Sequence, residues 1–171
     1  MNEEMRADLD RVMDAMVDYE DSWKRIHHFL KVREFAARIG RAENLPEHRQ
    51  YILEMAALTH DIGIKPALEN YGSSAGKYQE FEGPGQAGEM LAELGIADDV
   101  IDRVCWLIGH HHTTTDVEEI DHRILLEADA LVNAGESDWS VEACQNYLEN
   151  VFETEEGKRL FRKLYLSDPD K

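Results

Sequence analysis

The stretch YILEMAALTHDIGIK, residues 51–65, decides the fold, because a largely apolar segment runs directly into a histidine and an aspartate. Pro46 suits a first helical turn, so we expect a helix from there to about His60. His60 and Asp61 then lie at a helix end, where two adjacent side chains can converge on one ion. A core histidine bonded to a capping carboxylate is the alternative, so the interpretation depends on partners elsewhere in the chain.

Hydrophobic spacing in the rest of the chain is helical as well. We find no alternating strand pattern, internal repeat or low-complexity segment, and 171 residues is a length typical of one domain. The sequence therefore predicts an all-α fold, a single-domain helical bundle over residues 1–171. The predicted helices cover residues 3–18, 22–40, 46–60, 66–71, 84–94, 98–109, 121–134, 138–152 and 155–166.

Charge and composition exclude several classes of function. The net charge is −18, with 36 acidic against 18 basic residues, so the surface repels nucleic-acid phosphates and argues against a duplex partner. No apolar run approaches the roughly 18 residues of a membrane span, and no signal peptide precedes the first helix, so we expect a cytoplasmic protein without a membrane partner. Cys105 and Cys144 lie in apolar runs and are expected to be core thiols rather than nucleophiles.

Two further polar residues fall on apolar helix faces. His28 is the first residue of a stripe that continues through Val32, Phe35 and Ile39, whereas its neighbour His27 lies at the edge. Asp129 lies on the apolar face of the helix at 121–134, where a carboxylate is costly unless it is paired or bound to metal. A hydrogen bond to backbone or to an arginine is the alternative for this aspartate.

These residues together suggest a metal site. Two imidazoles, from His28 and His60, and two carboxylates, from Asp61 and Asp129, suit a divalent ion such as Mn, Fe, Co, Ni, Mg or Zn. The two negative charges balance one dication. His122 and Glu127, on the same helix as Asp129, are expected at the surface.

The order His28, then His60-Asp61, then Asp129 in EADALVN resembles the H…HD…D signature of the HD superfamily of metal-dependent phosphohydrolases. The resemblance spans most of the chain. It implies an all-helical fold, a metal bound by those four residues, and hydrolysis of a phosphate ester or phosphodiester, with nucleotides among the candidate substrates.

The resemblance leaves open whether the site binds one metal ion or two. Dinuclear members carry two more histidines, and the second of these matches His111 in IGHHHTTTD. The first is absent, and by spacing Glu82 takes its place, as an oxygen ligand, a general base or a solvated acid. The flanking His110 and His112 are candidates for substrate binding.

The expected chemistry is attack of a metal-activated water on a small phosphorylated substrate. Asp61 would bridge metals or orient the water, Lys65 and Glu82 are further catalytic candidates, and Lys77 in GSSAGK is a candidate substrate contact. Two alternatives remain open: a dinuclear iron oxygenase related to myo-inositol oxygenase in ligand order, and a non-catalytic module that binds metal or a small molecule. The oligomeric state is not predictable from these patterns.

Overall fold

Helices form the regular structure of the computed structural model, which describes residues 1–117 and 119–167. No strand forms within these residues, and the prediction of an all-α fold is confirmed. None of the described helices is both long and apolar enough to cross a membrane. The helices are α1 (Glu3–Tyr19), α2 (Trp23–Ala42), α3 (Glu47–Thr59), α4 (Ile64–Tyr71), α5 (Gly76–Glu93), α6 (Asp98–Ile108), α7 (Ile120–Glu136), α8 (Val141–Asn150) and α9 (Glu155–Phe161), followed by a π-helical turn at Arg162–Leu166.

Two helices form the centre of the bundle. Helix α3 is buried on every side from Gln50 to Thr59, and α7 is buried in the same way from Asp121 to Val132. Helix α2 packs against both, and α3 also contacts α1, α6 and α7. A polar group on a helix that buries all its faces is costly unless it is hydrogen-bonded or binds a ligand. Because α3 ends inside the bundle, the side chain of His60 is fully buried.

The predicted surface positions of His122 and Glu127 are wrong, because neighbouring segments cover the outer face of α7. The Glu127 carboxylate accepts hydrogen bonds from the backbone N–H groups of Glu153 and Thr154, at 2.6 and 2.9 Å. The His122 imidazole bonds through Nε2 to the carbonyl of His110 at 2.7 Å. Both residues therefore anchor loops to α7.

Helix α5 begins much earlier than predicted. Residues 76–83 were expected to be irregular, with a helix opening at Pro84, but the helix starts at Gly76 and contains Pro84 in its interior. A proline removes one backbone donor and usually starts or breaks a helix, which is why it suggested a first turn. The Pro84 carbonyl accepts a hydrogen bond from the Cys105 thiol at 3.2 Å.

Helix α7 also extends past its predicted end. Gly135 was expected to stop it, but the helix continues to Glu136. A Cβ atom at Gly135 would lie 2.9 Å from the hydroxyl of Tyr165, so this glycine allows the C-terminal segment to approach rather than ending the helix. The two additional residues bring Glu136 into regular helix, and Glu136 contacts the site described below.

The crossing of α4 and α5 depends on two glycines. A Cβ atom at Gly63 would lie 2.5 Å from the carbonyl oxygen of Gln79 and 2.9 Å from the backbone nitrogen of Gly83. Gly63 has φ −72°, so its role is to permit this close approach and not to supply a left-handed conformation. Since Gly63 follows Asp61 by two residues, the crossing fixes the chain where it leaves the site.

Substitution of Gly63 by alanine is therefore expected to destabilise the protein, by about 1–3 kcal/mol as in other overpacked cores. Gly85→Ala is the matched control, because a Cβ atom at that position meets nothing within 4 Å and alanine favours a helix. The free energy of unfolding, measured by urea denaturation, should fall for Gly63→Ala and stay level or rise for Gly85→Ala. Equal effects of the two changes would contradict the account.

Candidate metal centre

Side chains from three separate segments converge beside the end of α3. His28 comes from α2, His60 and Asp61 follow α3, and Asp129 comes from α7. The Nε2 atom of His28 lies 3.2 Å from the Nε2 atom of His60 and 3.1 Å from Oδ1 of Asp129. His60 Nε2 lies 3.5 Å from the same oxygen. The structure thus brings together the four residues that the sequence selected.

Asp61 faces two groups at once. Its Oδ2 atom lies 3.5 Å from the Nε2 atoms of both His28 and His60. Its other oxygen, Oδ1, lies 3.6 Å from Nε2 of His111, which follows the end of α6. The Asp61 carboxylate therefore lies between the two imidazoles of the cluster and the imidazole of His111.

The backbone orients two of the imidazoles. The Nδ1 atom of His60 lies 2.9 Å from the carbonyl oxygen of Ala57, and Nδ1 of His111 lies 2.6 Å from that of Ile108. A carbonyl oxygen only accepts, so in each ring Nδ1 carries the proton. When such a ring is neutral, the lone pair of its Nε2 atom faces Asp61, which is the arrangement that a metal ligand requires.

A carboxylate orients the third imidazole. Glu136 Oε2 lies 2.8 Å from Nδ1 of His28, and the ammonium of Lys31 bonds to the other oxygen of the same carboxylate. Lys31 and His28 outweigh the effect of burial and lower the pKa of Glu136. Glu136 therefore remains ionised and holds the His28 ring with Nε2 directed at the cluster.

The metal-free cluster attracts protons to its imidazoles. Burial opposes protonation of His60, but the carboxylates of Asp61 and Asp129 outweigh it and raise the His60 pKa to about 9. Burial likewise opposes protonation of His28, and the hydrogen bond with Asp129 again raises the pKa. In turn, and against the effect of burial, His60 and His111 hold the pKa of Asp61 well below its usual range, and His28 and His60 do the same for the pKa of Asp129. A cation bound here would replace these protons.

The cluster fits a divalent metal ion. Two ligand atoms, each about 2.1 Å from one ion, lie about 3.0–3.4 Å apart in octahedral or tetrahedral geometry, close to the separations found here. His28, His60 and Asp61 form a group that could hold an ion, and Asp129 approaches both histidines. Two nitrogen and two oxygen ligands suit several first-row metals, so the donor set does not select one of them.

The other predicted catalytic residues have contacts outside this cluster. The Lys65 ammonium bonds to the Asp21 carboxylate at 3.1 Å, at the junction of α1 and α2. The Glu82 carboxylate accepts a hydrogen bond from the Asn70 side chain at 3.0 Å and contacts Tyr71. Catalytic roles for Lys65 and Glu82 stay predictions.

The three predicted substrate contacts lie in two places. His110 stacks on Trp106 with ring centroids 4.2 Å apart and bonds through Nδ1 to the Trp106 carbonyl. His112 is exposed, with its ring centroid 4.0 Å from that of His111. Lys77 is exposed in the first turn of α5, with its ammonium over the Tyr78 ring. Of the three, His112 lies beside the cluster.

Sequence reasoning missed Glu136, although a signal for it exists. Glu136 follows Asp129 by seven residues, so the two share one face of a helix that extends far enough. The expectation that Gly135 ends the helix placed Glu136 outside it. The missed contact therefore follows from the wrong helix boundary.

Comparisons with known proteins give a family and two similar folds. The family model for the HD domain matches residues 25–134, a range that contains His28 and Asp129. The crystal structure of Bacillus subtilis YpgQ is similar, with a TM-score of 0.63 and 18% identity over 94% of this chain and 89% of that one. A structure described as a predicted HD superfamily hydrolase, from an uncultured Thermotogales bacterium, has a TM-score of 0.62 and 25% identity over 94% and 84%. No curated protein sequence matches the chain.

We expect His28→Ala to lose metal and His27→Ala to keep it. Only His28 points into the cluster, whereas His27 is exposed and meets the edge of Trp23. The two variants are matched, since each removes one imidazole from adjacent positions of α2. Elemental analysis of protein purified without chelator measures the difference. Greater metal loss from the His27 variant would exclude this assignment.

Removal of the Glu136 carboxylate is expected to weaken metal binding roughly 10- to 100-fold, as loss of a ligand's supporting hydrogen bond does at other sites. Glu136→Ala leaves His28 in place but releases its Nδ1 atom. Lys31→Ala is the control, because it removes the partner of Glu136 but keeps the bond to His28. Titration calorimetry with Mn²⁺ should show weaker binding by Glu136→Ala than by Lys31→Ala. Unchanged affinity in Glu136→Ala would show that the contact does not orient the ligand.

Proposed function

The chain belongs to the HD-domain family, and on that basis we propose that it is a metal-dependent hydrolase that cleaves a small phosphate ester or phosphodiester. The observation that carries the proposal is the convergence of the Nε2 atoms of His28 and His60 on the carboxylates of Asp61 and Asp129. The similar structure from a Thermotogales bacterium, described as a predicted HD superfamily hydrolase, supports the reaction class.

A phosphorylated substrate needs a local exception to the negative charge of this protein. The chain carries a net charge of −18, so an anion would be repelled from most of its surface. A divalent ion between His28, His60 and the two aspartates would cancel the two carboxylate charges and present its remaining coordination positions to an anion. The centre would then be a local attractive point for a phosphoryl group on an otherwise acidic protein.

The residues of the chain have separate tasks in this proposal. A divalent ion bound here supplies a Lewis acid and lowers the pKa of a bound water toward 7. His28, His60, Asp61 and Asp129 would hold such an ion, and Glu136 fixes the orientation of the His28 ring. The Oδ1 atom of Asp61, which lies on the side of His111, could accept a hydrogen bond from a water molecule.

Groups around the centre would position the phosphate. We assign this task to the exposed His112, which lies beside His111, and to Lys77 and His110 farther out. Their charged or polar hydrogens would stabilise the negative charge that develops on the phosphoryl oxygens. Lys65 would need to leave Asp21 to join them.

Hydrolysis is expected to require added metal. Protein stripped with chelator should release phosphate, or cleave a phosphodiester, only after addition of Mn²⁺, Fe²⁺, Co²⁺ or Mg²⁺, tested on a panel of phosphomonoesters, phosphodiesters and nucleotides. Asp129→Asn should lower the rate about 100-fold or more, because a metal supplies several kcal/mol of stabilisation to the transition state.

Asp99→Asn is the control for the loss of one carboxylate, since Asp99 lies exposed at the start of α6. This variant should hydrolyse substrate at the wild-type rate. Absence of turnover with every metal and every phosphoester would refute the proposal. Consumption of oxygen by the iron-loaded protein in the same panel would instead identify an oxygenase.

A further inference from the structure

We propose that a cavity between the start of α2 and the end of α7 binds a small planar aromatic carboxylate, and that this occupant and the metal ion strengthen each other's binding. The cavity has a volume of about 420 Å³, within the range of small-molecule pockets. Its lining combines an exposed tryptophan, two lysines and the carboxylate that orients a metal ligand: Trp23, Lys24, His27, Lys31, Glu136 and Ser137. The inference concerns binding and does not depend on the proposed hydrolysis.

Trp23 offers a surface on which an aromatic ring can stack. The residue is 65% exposed, although tryptophan is one of the residues that gains most from burial. The His27 ring packs against it, with ring centroids 5.4 Å apart and ring planes inclined by 72°. The Lys24 ammonium lies 5.8 Å from the centroid of the Trp23 ring. A planar ligand stacked on Trp23 would cover the exposed indole and bring an anionic substituent toward Lys24.

The charge of the lining fits a single negative group. Lys31 bonds to the Glu136 carboxylate, so these two charges offset each other. Lys24 has no carboxylate partner within the described part of the chain and leaves one positive charge in the lining. On a protein with a net charge of −18, such a local excess attracts an anion. A carboxylate carries one charge and matches this excess, whereas a phosphate dianion does not.

Glu136 connects this cavity to the metal centre. One oxygen of its carboxylate bonds to Lys31, and the other lies 2.8 Å from Nδ1 of His28. The Nε2 atom of His28, on the other side of the ring, faces His60 and Asp129. The cavity therefore borders the side of His28 that faces away from the cluster. Its occupant is a second molecule and not the phosphorylated substrate.

These contacts set the sign of the effect on the metal ion. A carboxylate in the cavity would attract the Lys31 ammonium and weaken its bond to Glu136. Glu136 would then accept more strongly from Nδ1 of His28, which makes Nε2 of His28 a better donor to a metal ion. The negative charge of the occupant also favours a cation nearby. Both effects have the same sign.

The coupling is tested by titration calorimetry with 2-naphthoate on protein stripped of metal and on protein saturated with Mn²⁺. The Mn²⁺ form should bind 2-naphthoate about 5-fold more tightly or better, a factor typical of coupled sites. In Glu136→Ala the probe should still bind, but saturating Mn²⁺ should no longer strengthen its binding. Equal affinity of the two wild-type forms would overturn the inference. So would a gain that persists in Glu136→Ala, because the probe would then lie on the metal itself.

The same titration tests the chemistry of the ligand. Lys24→Gln should weaken 2-naphthoate binding by about 2- to 5-fold, the range of an exposed ion pair, and the uncharged analogue 2-naphthamide should bind less tightly than 2-naphthoate. Lys163→Gln is the matched control, because it removes an exposed lysine from the π-helical turn at Arg162–Leu166. This variant should bind as the wild type does. Equal binding of acid and amide, or equal effects of the two lysine changes, would contradict the proposal.

Tryptophan fluorescence locates the bound probe without any turnover. The chain has three tryptophans, Trp23, Trp106 and Trp139, and 2-naphthoate stacked on the first should quench part of the emission. Trp23→Phe keeps a ring for stacking but removes that indole, so calorimetry should still detect binding while the quenching disappears. Quenching that persists in Trp23→Phe would place the probe beside another tryptophan and overturn the inference.

Discussion

The charge balance of one buried cluster constrains the rest of this structure. Asp61 and Asp129 approach the same two imidazoles, at distances of 3.1–3.5 Å, where water cannot screen two negative charges effectively. Protons on His28 and His60 can balance the carboxylates when no metal is bound, which is the origin of the raised pKa values of both rings. A dication balances them equally well and leaves the imidazoles neutral. The cluster can therefore release protons from its imidazoles when it binds a metal ion.

The central helices give this cluster its geometry. Because α3 and α7 are buried on nearly all sides, their polar side chains are fixed by packing and by specific partners. His60 is held by the Ala57 carbonyl one turn earlier, and His28 by Glu136 at the end of α7. Each imidazole thus has one nitrogen committed to the scaffold and the other available to a ligand. Such prior orientation favours binding, since little side-chain entropy remains to be lost.

Sequence periodicity was sufficient to predict the all-α fold class. It also selected His28, His60, Asp61 and Asp129 as members of one cluster, because each lies on or at the end of an apolar helical face. It failed where glycine and proline were interpreted only as helix boundaries. Pro84 lies inside α5, and Gly135 lies inside α7, where it makes room for the side chain of Tyr165. Local sequence does not encode such a contact with a distant segment. The error at Gly135 hid the contact of Glu136 with His28. The error at Pro84 left Glu80 outside the predicted helix, although its carboxylate accepts a hydrogen bond from the backbone N–H of His112 at 3.0 Å.

The most direct test of the central claim is anomalous diffraction from crystals grown with Mn²⁺. The account predicts a peak about 2.0–2.2 Å from Nε2 of His28, Nε2 of His60 and one carboxylate oxygen each of Asp61 and Asp129. The Nδ1 atom of His28 should remain bonded to Glu136. A metal peak elsewhere, or an empty cluster at saturating Mn²⁺ with the imidazoles still paired to the aspartates, would contradict the account.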